Sequence, residues 1–470
     1  MAKKDSEAQF IDVDRLRIGM YVHLDLGWMQ HPFALNSFKI TSREQIDTIV
    51  GLGISRIRWS PEKSDPEPTE EPGTAAKAGV TEENSHGTGA TANVAAVPVA
   101  DAVATASAEH AVAESTVAES AAAEQTAEEQ PAAEQRRLRR DRQSLQFESL
   151  EVCERNFAHA GRAYRQILDN VRAQPEVART NVERTISTMV DKLFEHEELA
   201  IRLLSENAGE KSSLHAINVT VISLLLGKAM ELGAEELRDL GSGALLHDIG
   251  KIALPERLRW KDEQFNNAER RLFEEHVVHG ASLSQSMRLP APVQAIIAQH
   301  HEFADGRGYP RKLAGDAIAP LARIVALVNH YDNLCNPGNP TQAITPHEAL
   351  SQIFAQMKRQ FDPAVLTLFI RMMGVYPPGS VVELTDGRHA LVVSVNSSRP
   401  LKPQIVIYEP RVPREEALVE DLETMPDIGI RRSLKPLQLP KAAFDYLSPR
   451  LRVCYFFERA RSAQDGEGEA

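Results

Sequence analysis

Between residues 61 and 135 the chain has no aromatic residue and almost no large aliphatic one, and Ala, Glu, Thr, Ser and Pro dominate. Such a stretch cannot bury enough apolar area to offset the entropy of ordering its backbone. It reads as a disordered acidic linker, with transient helix in its Ala/Glu-rich end. Folding must therefore happen on either side of it. The whole chain of 470 residues exceeds one ordinary core, since domains run to about 100–200 residues. The pattern divides it into a small α+β module at 8–60, the linker at 61–135, a helical connector at 136–204, a helical domain at 205–373 and a β-rich extension at 374–460.

In the first module, Met20 to Leu26 and Ile54 to Trp59 alternate like strands, and Ser42 to Leu52 reads as a short helix capped by Thr41 or Ser42, with Ile46, Ile49 and Val50 as its apolar face. Beyond the linker, the run Arg136-Arg137-Leu138-Arg139-Arg140 opens a helical pattern. It is read as a solvated helix start, with an anionic partner site as the alternative. Ile186, Met189, Val190, Leu193 and Phe194 recur at helical spacing and form one apolar face. From Leu214 to Met373 the pattern is nearly all helical, with turns at Gly250, Pro255, Pro290, 305–310 and 336–340. Then Val381 to Leu384, the Asp386-Gly387 turn and Ala390 to Val395 read as a hairpin, and Gln404 to Tyr408 as a further strand. The fold class is mainly α: an all-helical bundle preceded by a small α+β module and a disordered linker, and followed by a small β-rich tail.

A net charge of −13 argues against binding DNA or RNA, which needs a basic face to release counterions. A small anionic ligand needs only a local positive pocket. Cys153, Cys335 and Cys454 show no C-x-x-C spacing, so neither a zinc ribbon nor a disulfide framework is indicated. Met1 to Phe10 has no apolar leader pattern, and the run Val219 to Leu226 falls far short of the roughly 20 residues that cross a bilayer. The expectation is a cytoplasmic protein with no membrane span.

The chemistry concentrates in one helical region, in His215, the doublet His247-Asp248, His276 and the doublet His300-His301. The run Leu245-Leu246-His247-Asp248-Ile249-Gly250-Lys251 would bury a carboxylate, and burying an unpaired charge is costly. A divalent cation would supply the missing partner. Imidazole and carboxylate without nearby thiols suit Fe, Mn or a catalytic Zn and not a structural zinc.

Three segments, Leu245 to Lys251, His300-His301-Glu302 with Asp305-Gly306-Arg307-Gly308-Tyr309-Pro310, and Phe361-Asp362-Pro363, resemble the HD-GYP subgroup of the HD phosphohydrolase superfamily. The resemblance covers about a third of the chain and implies an all-helical HD-domain bundle holding two or three metal ions, commonly Fe or Mn. It implies hydrolysis of cyclic di-GMP to pGpG, in some members onward to GMP, by a hydroxide bridging the metals. Carried over, His215, His247 and Asp248 would hold one metal, and Asp248, His276, His300 and His301 the second. Asp248 and Lys251 would be catalytic, Lys251 binding phosphate as charge grows on it. Asp305, Gly306, Gly308, Tyr309, Pro310 and Arg311 would shape the nucleotide pocket, with Arg307, Arg311 and Lys312 making the loop basic. A homodimer through 136–205, or a signalling partner at the Gly-Tyr-Pro loop, is a further expectation. The segment Ile11 to Trp59 resembles a small N-terminal domain of unassigned function that often precedes HD-GYP domains.

Three positions depart from the family pattern. Asn329 stands where the last metal-binding aspartate is expected, which removes a negative charge from the site; His330 offers itself as a substitute, and Asp332 matches a separate position. Lys211 stands where three-metal members carry a glutamate, which reduces the expectation to two divalent ions. The segment Cys335 to Pro340 lacks the usual Arg-Pro-Tyr-Arg stretch. The alternative readings are an HD-GYP domain of reduced or no activity that serves as a cyclic di-GMP receptor or protein-interaction module, and an HD hydrolase for another nucleotide.

Overall fold

Apolar periodicity decides most of the elements in the computed structural model, which describes residues 9–24, 37–65, 109–205, 211–260, 264–396 and 399–460, with backbone alone at 44, 109–133, 135, 211 and 212. The chain divides into two units, Met1–Ser60 with Arg142–Ala470, and Pro61–Asp141. In the N-terminal module, strands β1 (Gln9–Asp12), β2 (Tyr21–His23), β3 (Ser37–Lys39) and β4 (Arg56–Trp59) form an antiparallel sheet of order β1-β4-β2-β3. Helix α1 (Arg43–Gly51) starts where the Ser42 side chain accepts the Gln45 N–H, as the capping signal predicted. It turns Ile46 and Ile49 onto Val22, Ile40 and Ile57 to make a small core, while Val50 stays exposed. Asp25 and Leu26 of the expected strand lie outside the described residues.

Residues 66–108 of the expected linker also lie outside the described residues. The structure departs from the expectation at 109–135, which belong to helix α2 (Glu109–Asn170). Ala, Glu and Gln are among the best helix formers, so this composition loses little by continuing the helix N-terminally. From Cys153 onward α2 buries Phe157, Ala160, Tyr164 and Ile167, at alternating steps of four and three, and Val171 is buried just past its end. Helix α3 (Pro175–Phe194) buries Ile186, Met189, Val190 and Leu193 as expected, but Phe194, at its last position, is exposed.

The helical domain follows with α4 (Lys211–Ala229), α5 (Ala234–Leu246), α6 (Asn267–Glu274), α7 (His276–Ser286), α8 (Ala291–Gln299), α9 (Pro320–Cys335), α10 (Pro346–Gln356) and α11 (Pro363–Met373). Asp362 of the Phe-Asp-Pro motif caps α11 through the Ala364 and Val365 N–H groups and takes Arg323 Nη1 at 3.0 Å, tying α11 to α9. The motif is therefore structural.

The sheet corrects two expected boundaries. Strand β5 (Leu199–Leu203), inside the supposed helical connector, pairs antiparallel with β7 (His389–Asn396) and with the last strand, β11 (Tyr455–Arg459). The β-rich extension is thus not a separate tail. With β6 (Val381–Leu384), β8 (Gln404–Ile407), β9 (Val419–Asp421) and β10 (Ile430–Leu434) it forms a seven-stranded sheet, followed by the short helix α12 (Lys441–Leu447) before β11. The period-two rule divides its side chains: Val381 and Leu391 join the helical core, while Val382, Ala390 and Val392 join a second core on the opposite face. A buried pair, Arg202 Nη1 to Glu458 Oε1 at 3.5 Å, joins β5 to β11, and Ser149 of α2 donates to the same carboxylate at 2.6 Å.

Because Val381, Leu391, Tyr455, Phe456 and Phe457 complete the core that α4 and α9 share, a chain ending at residue 373 should not fold independently. Each such side chain contributes about 1.5–3 kcal/mol, and together they rival a domain's net stability of about 5–15 kcal/mol. Thermal melts followed by circular dichroism should show a cooperative transition for the full chain and none for the truncated one.

Candidate metal centre

Six of the expected ligands converge, most of them from helix ends. His247 follows α5, Asp248 follows it, His276 opens α7, and His300 and His301 follow α8. Their ligand atoms form two groups, His215/His247/Asp248 and Asp248/His276/His300/His301, with the atoms of each group within 4.8 Å of one another. Asp248 belongs to both. Its Oδ2 lies 3.3 Å from His247 Nε2 and 3.5 Å from His215 Nε2, and its Oδ1 lies 3.3 Å from His276 Nε2 and 3.8 Å from His300 Nε2. One carboxylate thus faces both groups, one oxygen to each.

The tautomers follow from the partners. His247 Nδ1 meets the Ala244 carbonyl at 2.7 Å, His276 Nδ1 the Phe273 carbonyl at 2.6 Å, and His300 Nδ1 the Ile297 carbonyl at 2.9 Å. A carbonyl only accepts, so each Nδ1 donates and each neutral ring presents a lone pair at Nε2. His215 Nδ1 lies 2.6 Å from Asp332 Oδ2 and donates likewise. The lone pairs then face each other, His215 against His247 at 3.2 Å and His276 against His300 at 3.3 Å. Such contacts are repulsive unless a positive charge lies among them. Asp248 Oδ1 and His301 Nε2 are buried without a well-formed hydrogen bond among the described residues. Five imidazoles, four of them with Nδ1 already engaged, plus one carboxylate are the donor set of a divalent metal site, and the residues fit such an ion.

Electrostatics keeps the ligands in the binding form. Burial pushes the His247 imidazole below its ordinary range, and burial with neighbouring imidazoles pushes His300 and His301 well below it. Burial alone would raise Asp248, but Lys251 and His247 outweigh it and hold the carboxyl well below the usual carboxylate range. Lys251 Nζ donates to Asp248 Oδ2 at 2.6 Å and sits over the Phe273 ring at 5.3 Å. Gly250 is required beside it: a Cβ there would come 1.9 Å from the His276 carbonyl oxygen.

The 305–310 loop is built onto the same centre. Glu302, 1% exposed, accepts the Arg311 and Leu313 N–H groups at 2.7 and 2.9 Å and so fixes the loop's return. Gly306 takes φ +75°, and Gly308 packs so closely that a Cβ would lie 2.4 Å from the His301 carbonyl oxygen. The Tyr309 ring stacks on His301 at 4.5 Å, and burial holds its hydroxyl well above the ordinary tyrosine range, so it stays a donor. Arg307 is exposed but paired with Asp305 at 2.6 Å, and Arg311 and Lys312 are exposed as well.

Asn329 behaves differently. It is buried on α9, and its Oδ1 accepts from Asn333 Nδ2 at 2.6 Å, so the amide oxygen is already engaged within its own helix. His330 packs its ring against Phe303 and Phe361. The side chain of Lys211 lies outside the described residues. Sequence reasoning missed the working partner, Asp332, which orients His215 from 117 residues away. It also missed the loop anchor Glu302. A buried acid next to a ligand doublet was the available signal for Glu302; Asp332 had none that pointed to His215.

Comparison with known proteins agrees with this geometry. Residues 187–365 match the family described as HD domain, and residues 9–182 match the family described as a domain of unknown function, DUF3391. The chain is an HD-domain protein carrying that N-terminal domain. With the Gly-Tyr-Pro loop seated on its ligands, its HD domain is of the HD-GYP type. It is 30% identical over 204 residues, 43% of this chain and 49% of the relative, to a cyclic di-GMP phosphodiesterase of Pseudomonas aeruginosa. It is 37% identical over 149 residues, 31% of this chain and 39% of the relative, to a cyclic di-GMP phosphodiesterase response regulator of Xanthomonas campestris pv. campestris. A 3'3'-cGAMP-specific phosphodiesterase of Vibrio cholerae is 28% identical over 189 residues, 39% of this chain and 36% of the relative. The chain thus spans about half the length, or less, of these relatives. No helix among the described residues is long and apolar enough to cross a membrane.

The imidazole shifts set a pH dependence. Below the ordinary imidazole value of 6.5 the unfolded chain takes up protons that buried His247, His300 and His301 refuse. Stability must therefore fall as pH drops through that value, with Asp248 adding the same sign at lower pH. Melting temperatures of chelator-treated protein should decline steadily from roughly pH 7 to pH 5; a flat or rising profile would contradict the assigned burial.

Proposed function

We propose that this chain is a metal-dependent phosphodiesterase that opens cyclic di-GMP to linear pGpG in bacterial second-messenger signalling in the cytoplasm. The observation that carries the reading is the convergence of four oriented Nε2 lone pairs on the two oxygens of buried Asp248. Nitrogen and carboxylate donors without thiolate fit iron or manganese. The printed names of the Pseudomonas and Xanthomonas relatives support the substrate. Two divalent ions would acidify water into a nucleophile and neutralise phosphodiester oxygens.

The chain's own residues do the rest. His215 and His247 would hold one ion, His276, His300 and His301 the other, and Asp248 would bridge them. Lys251, now held by Asp248, is the cation placed to meet the phosphate as its charge grows. Tyr309, Gly306, Gly308, Pro310 and Arg311 would line the nucleotide side, with Arg311 and Lys312 drawing the dianion to an otherwise acidic protein. Asp305 acts indirectly, by capping the turn that carries Arg307. Asn329 supplies no charge, so the ion that this position serves is held more weakly.

Protein loaded anaerobically with Fe(II) or Mn(II) should convert cyclic di-GMP to pGpG in preference to 3'3'-cGAMP, and chelator or His247→Ala should abolish turnover. Lys251→Ala should lower kcat by roughly 10²–10³-fold with metal content unchanged. Asn329→Asp should raise metal occupancy on metal titration. Nucleotide binding without turnover in the fully loaded protein would sink the hydrolase reading.

A further inference from the structure

His215 is the one ligand of its group whose orienting partner lies on a distant element, and that partner is itself held from outside the HD-domain match. Asp332, fully buried, gives Oδ2 to His215. Its Oδ1 accepts from Asn218 Nδ2 at 2.8 Å and from Asn336 Nδ2 at 2.9 Å. Both amides then reach the segment leading into β11. The Val453 carbonyl accepts from Asn218 at 2.8 Å and from Asn336 at 3.0 Å. Val453 N–H donates to Asn336 Oδ1 at 2.9 Å, and Tyr455 N–H donates to Asn218 Oδ1 at 3.0 Å. The backbone partners fix both amide orientations, since a carbonyl can face only the NH₂ and an N–H only the oxygen.

Every polar atom of the two amides is engaged, and all of them are buried. With β11 in place, Asp332 has one position and His215 one orientation. Without the Val453 carbonyl and the Tyr455 N–H, Asn218 and Asn336 lose half their partners, and nothing else described here holds the Asp332 carboxylate against His215. Among the described residues the other ligand group shows no such link: His276 and His300 are oriented by carbonyls of their own neighbouring turns.

We propose that the C-terminal strand is a positioning element of the metal centre, acting through Asn218, Asn336 and Asp332 on His215 alone, so that docking of β11 and occupancy of the His215/His247/Asp248 half-site are coupled. The inference rests on the metal-site reading above. By linkage the coupling runs both ways: a strand that tightens the half-site must itself be tightened by the ion.

The test uses the full chain and Mn(II) alone. Unaltered protein should take up about two Mn(II) per chain and give the spin-coupled signal of a metal pair. In Asn218→Ala and Asn336→Ala, affinity for one ion should fall by roughly 10–100-fold, the range for lost outer partners of a ligand. Affinity for the other should stay unchanged, and the resonance should become that of an isolated ion. A purely structural role would weaken both ions together. In unaltered protein, Mn(II) should also slow hydrogen exchange at the Val453 and Tyr455 amides and leave the β8 amides as they were, a readout that stands even if the variants do not fold. Two ions bound with undiminished affinity by the folded variants, or exchange at Val453 and Tyr455 indifferent to Mn(II), would overturn the coupling and leave the metal site intact. No uptake by unaltered protein would instead fail the metal reading itself, and the coupling with it.

Discussion

The carboxylate of Asp248 is the constraint around which the domain is arranged. It is buried among helices, and a buried charge without compensation is costly. Its compensation has to come from several directions at once, because each oxygen faces a different pair of imidazoles. Among the described residues, Lys251 contributes the one fixed cation in contact with it. That demand explains why ligands from α4, α5, α7 and α8 meet at one point and why the close approach at Gly250 tolerates no side chain.

Helix ends solve the orientation problem cheaply. The last carbonyls of a helix have no partner within it, and His247, His276 and His300 each place Nδ1 on the carbonyl three residues back, at Ala244, Phe273 and Ile297. One local device thus fixes three tautomers. His215 cannot use it. It lies inside α4, where the carbonyls are spent on the helix ladder, so its Nδ1 needs a side chain from another element, and α9 supplies Asp332. The same contrast separates the loop residues. Tyr309 is held by stacking on a ligand, whereas Arg311 has only its backbone fixed, through Glu302.

This division also explains what the sequence revealed. Ligands that sit in doublets at helix ends carry local signals: an apolar run, a His-Asp pair, a glycine that allows close packing. The doublets His247-Asp248 and His300-His301 were therefore legible, as was the helical character of 214–373. Asn218 reaches Asp332 across 114 residues, and Asn336, one helical turn beyond Asp332, meets Asn218 through the Val453 carbonyl, so no spacing rule connects the three. The misplaced β boundary has the same origin. Leu199 to Leu203 is too short to be told from a helix end by periodicity, and only its pairing with β7 and β11 makes it a strand. Asn329 was legible as a neutral residue, but its hydrogen bond to Asn333 was not.

The chain as a whole carries −13, yet a cyclic dinucleotide is a dianion that such a surface repels. Within the centre the ligands are neutral imidazoles plus Asp248, and Lys251 already balances that carboxylate. Any divalent ion bound there therefore adds almost its full charge to a buried, low-dielectric spot, where it acts far more strongly than in water.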